Sequence, residues 1–347
     1  MTNNLARGLS YDDVLLKPQY SDIRSRGDIN ISTSLGPKLD LGLPVIASPM
    51  DTISESRMAA AMNNSSGMAI LHRYNSIEQQ VQLVKEAYRY NKTRPVYGAA
   101  IGISGDYLER AAALVNSGVK ILCVDVAHGH HILMKEALEN LKGLFNSGRI
   151  HIMAGNVATL QGINDLADWG ADSVRCNIGG GSICSTRIQT GHGLPGLQTI
   201  FECAKTDRDV KIIADGGIKN SGDIVKALAA GADAVMVGSL LSGTDEAPGD
   251  VLTSQDGSKW KSYRGMASKE AQMDWRGNYS SFEGVTSRVP YRGPVESVLR
   301  DLEKGIRSGF SYSGARNLTE LHSKAEFIVQ TSLGLSESKT HILARNW

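Results

Sequence analysis

Short apolar runs alternate along this chain with segments whose apolar residues recur at helical spacing. The runs are continuous and rich in Val, Ile and Ala, which is typical of parallel strands covered on both faces. The segments between them place apolar residues three and four positions apart, as in 222–230 before Gly231, and this spacing predicts helices. The predicted strands are residues 44–48, 68–71, 96–101, 121–126, 150–154, 173–178, 210–214 and 234–237.

Eight strand–helix repeats on a chain of 347 residues predict an α/β fold, a TIM (β/α)8 barrel. A doubly wound parallel sheet is the structural alternative, because it is built from the same repeats. In a barrel, the loops that follow the strands carry the active site. Polar and glycine residues follow most of the predicted strands and should therefore converge on one face: Ser48-Pro49-Met50-Asp51, His72-Arg73, Asp125-Val126-Ala127-His128, Gly155-Asn156, the loop after residue 178, Asp215-Gly216-Gly217 and Gly238-Ser239.

The loops after predicted strands seven and eight both contain glycine. They read Asp215-Gly216-Gly217 and Val237-Gly238-Ser239. This pair of loops is the usual phosphate site of a barrel, where backbone N–H groups and a helix N-terminus hold the anion. The alternative is that the glycines only permit tight turns. The pairing favours a phosphorylated ligand.

Residues 249–292, after the eighth strand, form a long excursion with little apolar periodicity. Segments of this length are usually lids or disordered, so we expect a lid over the active site. Helical patterning resumes at 294–309, with Pro294 at the helix start, and again at 317–332. The polar segment up to Trp347 should pack across the surface or against a neighbouring subunit. We expect one catalytic domain over 1–347.

Charge and composition narrow the class of partner. The chain has 37 Lys and Arg against 36 Asp and Glu, so no broad basic surface indicates nucleic acid. We therefore expect a small substrate. Residues 1–10 are polar and no apolar run reaches the ~18 residues of a membrane span, so we expect a cytoplasmic protein with no membrane partner. The four cysteines form no CxxC pair and no zinc-ligand spacing, which argues against disulfides and a structural metal.

Cys184 differs from the other three cysteines in its setting. It lies in the loop Gly179-Gly180-Gly181-Ser182-Ile183-Cys184-Ser185-Thr186-Arg187, directly after a predicted strand. Glycines let backbone atoms approach a ligand closely, and a loop can expose the thiol. The alternative is a small residue in a flexible loop, because reactivity depends on the thiol pKa. Cys184 is the candidate nucleophile.

Several motifs in one order carry a resemblance to a known family. They are Leu9-Ser10-Tyr11-Asp12-Asp13-Val14-Leu15-Leu16-Lys17-Pro18, Ser48-Pro49-Met50-Asp51-Thr52, Gly155-Asn156-Val157-Ala158-Thr159, the Cys184 loop, Ala214-Asp215-Gly216-Gly217 and Tyr263-Arg264-Gly265-Met266. The chain resembles the IMP dehydrogenase / GMP reductase family over nearly its whole length. That resemblance implies a TIM barrel, usually a homotetramer, which acts on a purine nucleotide with a nicotinamide cofactor and a catalytic cysteine.

The resemblance also implies roles for individual residues. Cys184 is the nucleophile that attacks C2 of the purine, and Thr186 and Glu283 form the acid–base pair. The resemblance implies that the phosphate is bound by Ser182, Gly217, Gly238, Ser239 and Tyr263, and the ribose by Asp215. It implies that the base is bound by Gly265 and Met266, with Ser48 and Met50 also in the substrate site. Asn156 would position the base near the thiol. Asp125 and Ala127 are the implied cofactor contacts.

A monovalent-cation site is implied for the same loop. The carbonyls of Gly179, Gly181 and Cys184 correspond to the potassium ligands of the family. The usual Gly-Ile-Gly-Pro-Gly run reads Asn177-Ile178-Gly179-Gly180-Gly181 here, so the loop departs from the family at two positions.

The two activities of the family run in opposite redox directions, and the lid separates them. A dehydrogenase passes hydride from IMP to NAD and hydrolyses the covalent intermediate, using an adjacent Arg-Tyr pair of its flap. A reductase expels ammonia from GMP and takes hydride from NADPH. Here the lid is short, Arg276 is followed by Gly277, and no CBS module interrupts residues 76–95. These features favour a GMP reductase that uses NADPH.

Other sequence motifs resemble those of the dehydrogenases. These are Ser48-Pro49-Met50-Asp51, His128-Gly129-His130 and Val289-Pro290-Tyr291-Arg292-Gly293. The alternative is therefore an IMP dehydrogenase that lacks CBS domains and uses NAD. A remote alternative is a metal-dependent barrel hydrolase, since His128 and His130 point to the same side of a strand and can share a metal. That site needs further ligands at later strand ends, where only Asp215 qualifies.

Overall fold

A computed structural model describes residues 5–37, 39–91, 97–145, 148, 150–279 and 283–340. Some predicted segments include residues that lie outside the described ranges. These are residue 96 of the predicted strand 96–101, residues 280–282 of the predicted lid, and the terminal residues 1–4 and 341–347.

Eight parallel strands close into a barrel, which confirms the predicted TIM fold and excludes the doubly wound sheet. The barrel strands are β4 (Val45–Ala47), β5 (Met68–Leu71), β6 (Gly98–Ile101), β7 (Ile121–Asp125), β8 (His151–Val157), β9 (Ser173–Cys176), β10 (Lys211–Asp215) and β11 (Ala234–Val237). Their order around the barrel is β10-β11-β4-β5-β6-β7-β8-β9, so β11 pairs with β4 to close it.

Helices follow the strands and cover the outside of the barrel, except for the short α6 (Thr186–Thr190), which lies in the cysteine loop at the carboxyl ends of the strands. They are α1 (Ser56–Asn64), α2 (Ile77–Tyr90), α3 (Tyr107–Asn116), α4 (Ile132–Leu144), α5 (Leu160–Asp168), α6 (Thr186–Thr190), α7 (Gly196–Cys203), α8 (Ser221–Ala229) and α10 (Val295–Tyr312). Side-chain caps fix several helix starts; for example, Ser76 accepts a hydrogen bond from the backbone N–H of Gln79 at the start of α2.

Alternation along the strands produces two separate apolar cores. Inward-facing residues such as Ile46, Ile70, Met153 and Met236 fill the barrel, while their neighbours pack against the helices. A small hairpin of β2 (Thr33–Ser34) and β3 (Asp40–Leu41) brings Leu35 and Leu41 into the inner core. Because Gly36 lies near His151 at the start of β8, the hairpin closes the end of the barrel opposite the predicted active site.

The predicted lid has more regular structure than its sequence pattern indicates. It contains an antiparallel sheet of β12 (Leu252–Thr253), β13 (Lys259–Arg264) and β14 (Thr286–Pro290), with α9 (Lys269–Arg276) between the last two strands. Arg264 binds the carboxylate of Asp51 through Nε at 3.0 Å and Nη2 at 2.6 Å. This ion pair fixes the lid to the end of β4.

The predicted helix over 317–332 is wrong for its second half. Helix α11 (Leu318–Lys324) ends early, and β15 (Phe327–Val329) then pairs antiparallel with β1 (Val14–Leu16). The reason is the aromatic and β-branched run Phe327-Ile328-Val329, which favours a strand when a partner is available. A last helix, α12 (Ser332–Glu337), follows, and two 3-10 turns (Tyr11–Asp13, Arg26–Asp28) flank β1. None of the described helices combines the length and apolarity of a membrane span.

Candidate active site

One cavity of about 440 Å³ opens at the carboxyl ends of the barrel strands, beneath the lid. A cavity of this size suits a nucleotide-sized ligand. It brings together every residue that the sequence predicts for the site: Ser48, Met50, Asp125, Ala127, Asn156, Gly179, Gly181, Ser182, Cys184, Thr186, Asp215, Gly217, Gly238, Ser239, Tyr263, Gly265, Met266 and Glu283.

The thiol of Cys184 lies next to a hydroxyl and a carboxylate. Its Sγ is 3.2 Å from Oγ1 of Thr186, and that hydroxyl is 2.6 Å from Oε2 of Glu283. A threonine hydroxyl both donates and accepts, so it can pass a proton between a carboxylate and a third group. The arrangement can therefore serve a covalent reaction that needs a nucleophile beside an acid–base group.

Backbone hydrogen bonds between the cysteine loop and the lid assemble this trio. The N–H of Ser185 donates to the carbonyl of Glu283 at 2.9 Å, and the N–H of Val285 donates to the carbonyl of Ile183 at 3.0 Å. The N–H of Glu283 donates in turn to the carbonyl of Ala267 at 3.0 Å. Glu283 consequently reaches Thr186 only when the lid is in place.

The opposite end of the cavity offers hydroxyl groups and the first backbone N–H groups of a helical turn. A helical turn after β11 begins at Gly238, whose carbonyl accepts from the N–H groups of Leu241 and Ser242. The first N–H groups of such a turn have no partner within it and suit an anion. Tyr263 lies beside this turn and is 5% exposed. Burial raises the pKa of Tyr263, and its interaction with Ser182 opposes the shift.

Asp215 at the end of β10 uses one of its carboxylate oxygens for contacts with other described residues. Its Oδ2 accepts from Nδ2 of Asn156 at 2.8 Å and from Nε and Nη2 of Arg175 at 3.0 and 2.7 Å. Among the described residues, no side chain or backbone group donates to Oδ1. The carboxylate is thus held rigidly while one oxygen remains able to accept from a ligand.

Arg175 joins Asp215 to Asp125 across the barrel mouth. Its Nη1 donates to Oδ1 of Asp125, and the arginine is only 6% exposed. Burial lowers the pKa of Arg175, but the two carboxylates outweigh burial and raise that pKa overall. Arg175 therefore stays charged and compensates both carboxylates.

An aromatic contact joins the lid to the barrel above Asp125. Trp275 of α9 meets Tyr74 edge-on, with ring centroids 5.3 Å apart. The Arg276 guanidinium lies 4.3 Å from the Trp275 ring, and that of Arg73 lies 5.0 Å from the Tyr74 ring. Arg73 also donates to the carbonyl of Asp125 at 3.1 Å. The lid thus covers the side of the cavity formed by β5 and β7.

Comparison with known proteins agrees with this site. Residues 8–341 match the IMP dehydrogenase / GMP reductase domain. The chain belongs to the IMP dehydrogenase / GMP reductase family. Its members are oxidoreductases that use a nicotinamide dinucleotide.

Relatives of this family carry both activities at equal similarity. The chain is 32% identical to an inosine-5′-monophosphate dehydrogenase of Nitrosopumilus maritimus, covering 96% of this chain and 98% of that protein. It is also 32% identical to a GMP reductase of Leishmania major, covering 98% of each. The alignments run over 469 and 483 positions, so both relatives contain residues without a counterpart here. Lack of an inserted module therefore does not separate the two activities.

A solved structure of the family closely resembles this fold. It is a Cys-to-Ala variant of GMP reductase from Trypanosoma brucei in complex with guanosine 5′-monophosphate. The TM-score is 0.91 at 31% identity, covering 97% of this chain and 98% of that one.

The sequence analysis did not assign four residues to the site that line this cavity: Tyr74, Arg175, Asn177 and Gln272. Arg175 could have been predicted from the sequence, because a charged residue inside the apolar run 173–178 needs a buried partner of opposite charge. Asn177 could also have been singled out, since it stands where the family has glycine. Tyr74 and Gln272 could not, because their places depend on how the lid meets the barrel.

The predicted cation site has the right donor chemistry but competing contacts. Backbone carbonyls are oxygen ligands that suit hard cations. However, the carbonyl of Gly181 already accepts from the N–H of Cys184 at 3.1 Å. Nη2 of Arg187 donates to the carbonyl of Ile178 at 3.3 Å, which brings a positive charge next to Gly179. Cation binding at Gly179, Gly181 and Cys184 stays a prediction.

The histidines after β7 do not form the metal site of the hydrolase alternative. Nε2 of His130 is 2.7 Å from Oδ2 of Asp165, outside the cavity. Burial and then the neighbouring His130, His131 and His192 lower the pKa of His128. Within the described part of the chain, no group of three or more His, Cys, Asp or Glu side chains could hold a metal ion.

Proposed function

We propose that this protein is a GMP reductase, which converts GMP to IMP and ammonia with NADPH. The thiolate of Cys184 attacks C2 of the purine, a C2–S bond forms, and the C2–N bond to the amino group breaks as ammonia leaves. When bound, the reduced nicotinamide supplies the hydride that replaces sulfur at C2, and the thiolate is regenerated. A covalent step of this kind divides one difficult substitution into two easier ones.

Thr186 and Glu283 supply the protons in this proposal. The amino group departs as neutral ammonia only if it is protonated, and the short path from Glu283 through the Thr186 hydroxyl ends next to the thiol. General acid catalysis through such a path typically contributes 10²–10⁴-fold in rate.

The remaining cavity residues divide between the two ends of the nucleotide. We assign the phosphate to Ser182, Gly217, Gly238, Ser239 and Tyr263, which surround the turn after β11. The free Oδ1 of Asp215 accepts from a ribose hydroxyl, and Asn156, Ser48, Met50, Gly265 and Met266 hold the base. The positioning of Asn156 rests on its hydrogen bond to Asp215.

The nicotinamide end of NADPH belongs on the side of Asp125 and Ala127. Both line the cavity, and Trp275 and Tyr74 cover this side with aromatic surface. Arg73 and Arg175 hold Asp125 in place. A relative of known structure contains guanosine 5′-monophosphate, which supports a purine nucleotide at the other end of the cavity.

Residues of the lid distinguish the reductase from the dehydrogenase in this proposal. Hydrolysis in the dehydrogenases uses an adjacent Arg-Tyr pair, and Arg276 is the lid arginine closest to that role here. Its guanidinium stacks on Trp275, and the next residue, Gly277, ends α9 with φ +71°. Residues with a Cβ disfavour this left-handed conformation, so a tyrosine does not fit at this helix end without strain. The lid therefore suits expulsion of an amine and hydride transfer better than hydrolysis.

An IMP dehydrogenase that uses NAD is the second candidate. It is favoured by the equal identity to the dehydrogenase of N. maritimus and by the strand-end motif Ser48-Pro49-Met50-Asp51. In that case water, rather than hydride, would resolve the covalent intermediate.

Paired assays on the purified protein separate the two activities. With potassium present, we expect GMP to drive NADPH oxidation with IMP and ammonia as products, and IMP to reduce NAD only feebly. Cys184→Ala is the matched control and should abolish both signals. Rapid NAD reduction with IMP and formation of XMP, without NADPH oxidation by GMP, would reject the reductase.

Two further properties belong to the proposal. We infer a homotetramer from the family, and sedimentation velocity should show about four times the 37.3 kDa of one chain. We infer also that a monovalent cation binds at the carbonyls of Gly179, Gly181 and Cys184. Replacement of potassium by lithium should then lower the rate.

A further inference from the structure

Asn177 and Gly180 are the two positions at which the cysteine loop departs from the family's run. Asn177 directly follows β9, and Gly180 lies three residues further along. Asn177 is 4% exposed although it belongs to a loop at the rim of the cavity. A buried asparagine at this place calls for a physical reason.

The carboxamide of Asn177 occupies the space that a side chain at 180 would need. A Cβ placed on Gly180 would lie 2.1 Å from Nδ2, 2.7 Å from Oδ1 and 2.8 Å from Cγ of Asn177. Real Cβ atoms do not approach other atoms this closely, so a side chain at 180 is excluded while Asn177 keeps its position. The residues at the two positions are therefore sterically coupled: the Asn177 side chain requires glycine at 180.

Asn177 also joins the two loops that contact the proposed substrate. Its Nδ2 donates to the carbonyl of Gly216 at 3.3 Å, and its own carbonyl accepts from Nδ2 of Asn156 at 3.0 Å. The loops are close, since a Cβ on Gly217 would lie 3.1 Å from the carbonyl oxygen of Gly180. One loop carries Cys184 and Ser182, and the other carries Asp215 and Gly217.

The amide is held in this position at a cost to stability. Among the described residues, no group donates to the buried Oδ1 of Asn177. An unsatisfied buried acceptor destabilises the folded state, and in native proteins such groups are concentrated where function requires them. The hydrogen bond from Nδ2 to Gly216 fixes which way the amide points, because a carbonyl accepts only from the NH₂ side.

We propose that Asn177 is a positioning residue that sets the distance between the Cys184 thiol and the phosphate-binding loop 215–217, and that it does so only when residue 180 is glycine. This inference rests on the proposed function, because it takes Cys184 and Gly217 to contact the same nucleotide. Asn177 lines the cavity, but this proposal does not require it to contact the substrate. It acts through the spacing of the two loops.

The test measures the Cys184 thiol rather than turnover. The other three cysteines are buried, so alkylation by iodoacetamide, followed by peptide mass spectrometry, reports on Cys184. The variants are Asn177→Ala, Gly180→Ala and the double variant Asn177→Gly/Gly180→Ala. Gly143→Ala in α4 is the matched control, because nothing lies within 4 Å of a Cβ at that position.

In the wild-type protein and in Gly143→Ala, GMP and IMP should both slow alkylation. Asn177→Ala and Gly180→Ala should each weaken GMP binding by about tenfold or more, because the misplaced loops lose hydrogen bonds to the nucleotide. The double variant should lose no more GMP affinity than Asn177→Ala alone, because removal of the carboxamide clears the space for a methyl group at 180. A merely structural role for each residue would give additive losses.

The outcomes separate this inference from the proposed function. If both nucleotides protect Cys184 in the wild type but the losses of the two single variants add up in the double variant, Asn177 and Gly180 are not coupled and the inference fails alone. Unchanged GMP affinity in Asn177→Ala would also overturn it. If neither nucleotide protects Cys184 in the wild-type protein, the proposed function fails and this inference fails with it.

Discussion

The hydroxyl of Thr186 lies 2.6 Å from a carboxylate oxygen of Glu283, although the two residues are 97 positions apart in the chain. One belongs to the cysteine loop and the other to the lid. Their contact means that Glu283, the proposed acid–base group, reaches the thiol together with the lid. In the proposed mechanism, lid closure and proton transfer therefore depend on the same segment of the chain.

Loss of the Glu283 carboxylate should slow turnover by about 10²-fold or more, the usual scale of general acid–base catalysis. Glu283→Gln keeps the size of the side chain, so the lid contacts should survive. If Glu283 acts through Thr186, the double variant Glu283→Gln/Thr186→Val should lose little more than either single variant, since residues that act as a unit are not additive. Steady-state rates of the four proteins measure this, and fully additive losses would show independent action.

Replacement of the thiol should separate binding from chemistry. In Cys184→Ala we expect no measurable turnover but a GMP dissociation constant within a few-fold of wild type, because the phosphate and ribose contacts lie elsewhere in the cavity. Isothermal titration calorimetry measures the affinity. Substantial activity in this variant would eliminate covalent catalysis by Cys184.

The sequence predicts those parts of the site that depend on local pattern. Eight apolar runs place the strand ends, and the glycine-rich loop places Cys184 in the cavity between them. The contact between Tyr74 and Trp275 could not be predicted, because the two residues are far apart in the chain and meet only through the fold of the lid. The strand β15 was missed for the same reason: Phe327-Ile328-Val329 forms a strand because β1 lies beside it.

Arg175 is expected to be essential for stability as well as for the site. Arg175→Met would leave the partly buried Asp125 and Asp215 without their counter-charge, and removal of one partner from a buried ion pair typically costs up to about 3–5 kcal/mol. Urea unfolding measures the free energy. The triple variant Asp125→Asn/Arg175→Met/Asp215→Asn is the control, because it removes the stranded charges. It should recover part of the loss, and no recovery would show that packing of Arg175 matters more than its charge.

His151 should make the fold sensitive to mild acid. It is 6% exposed, its Nε2 lies 2.7 Å from Oγ of Ser173, and burial lowers its pKa from the usual value near 6.5, with Asp172 opposing the shift. The folded state therefore resists a proton that the unfolded state accepts. Stability from this group is complete above about pH 6.5 and falls below it, by at most about 1.4 kcal/mol per pH unit for one proton.

The variant His151→Gln should show a smaller loss of unfolding free energy between pH 7.5 and 5.5 than the wild-type protein. The exposed His322→Gln is the matched control for loss of a histidine and should follow the wild type. Urea unfolding at both pH values measures the difference. Parallel pH dependence in all three proteins would show that the acid sensitivity arises elsewhere.

Trp275 should hold the lid over the nicotinamide side of the cavity. Its edge-on contact with Tyr74 and its cation–π contact with Arg73, whose guanidinium lies 5.8 Å from the Trp275 ring, join the lid to the barrel. Each is of a kind that contributes about 0.5–2 kcal/mol. Their joint loss in Trp275→Ala should therefore favour the open lid by about tenfold or more. Backbone amide exchange in α9 measures opening directly, because a lid that opens more often exchanges faster. The KM for NADPH should rise, while GMP affinity in the absence of cofactor should change little.

Met273 lies on the same helix and is 42% exposed, so Met273→Ala is the matched control and should leave exchange and KM near the wild-type values. Trp275→Phe should recover part of the effect, because a phenyl ring can still meet Tyr74 edge-on. If Trp275→Ala exchanges no faster than Met273→Ala, the aromatic contact does not hold the lid. Closure would then depend on the Arg264–Asp51 ion pair and on the backbone hydrogen bond between Ser185 and Glu283, which these variants leave intact.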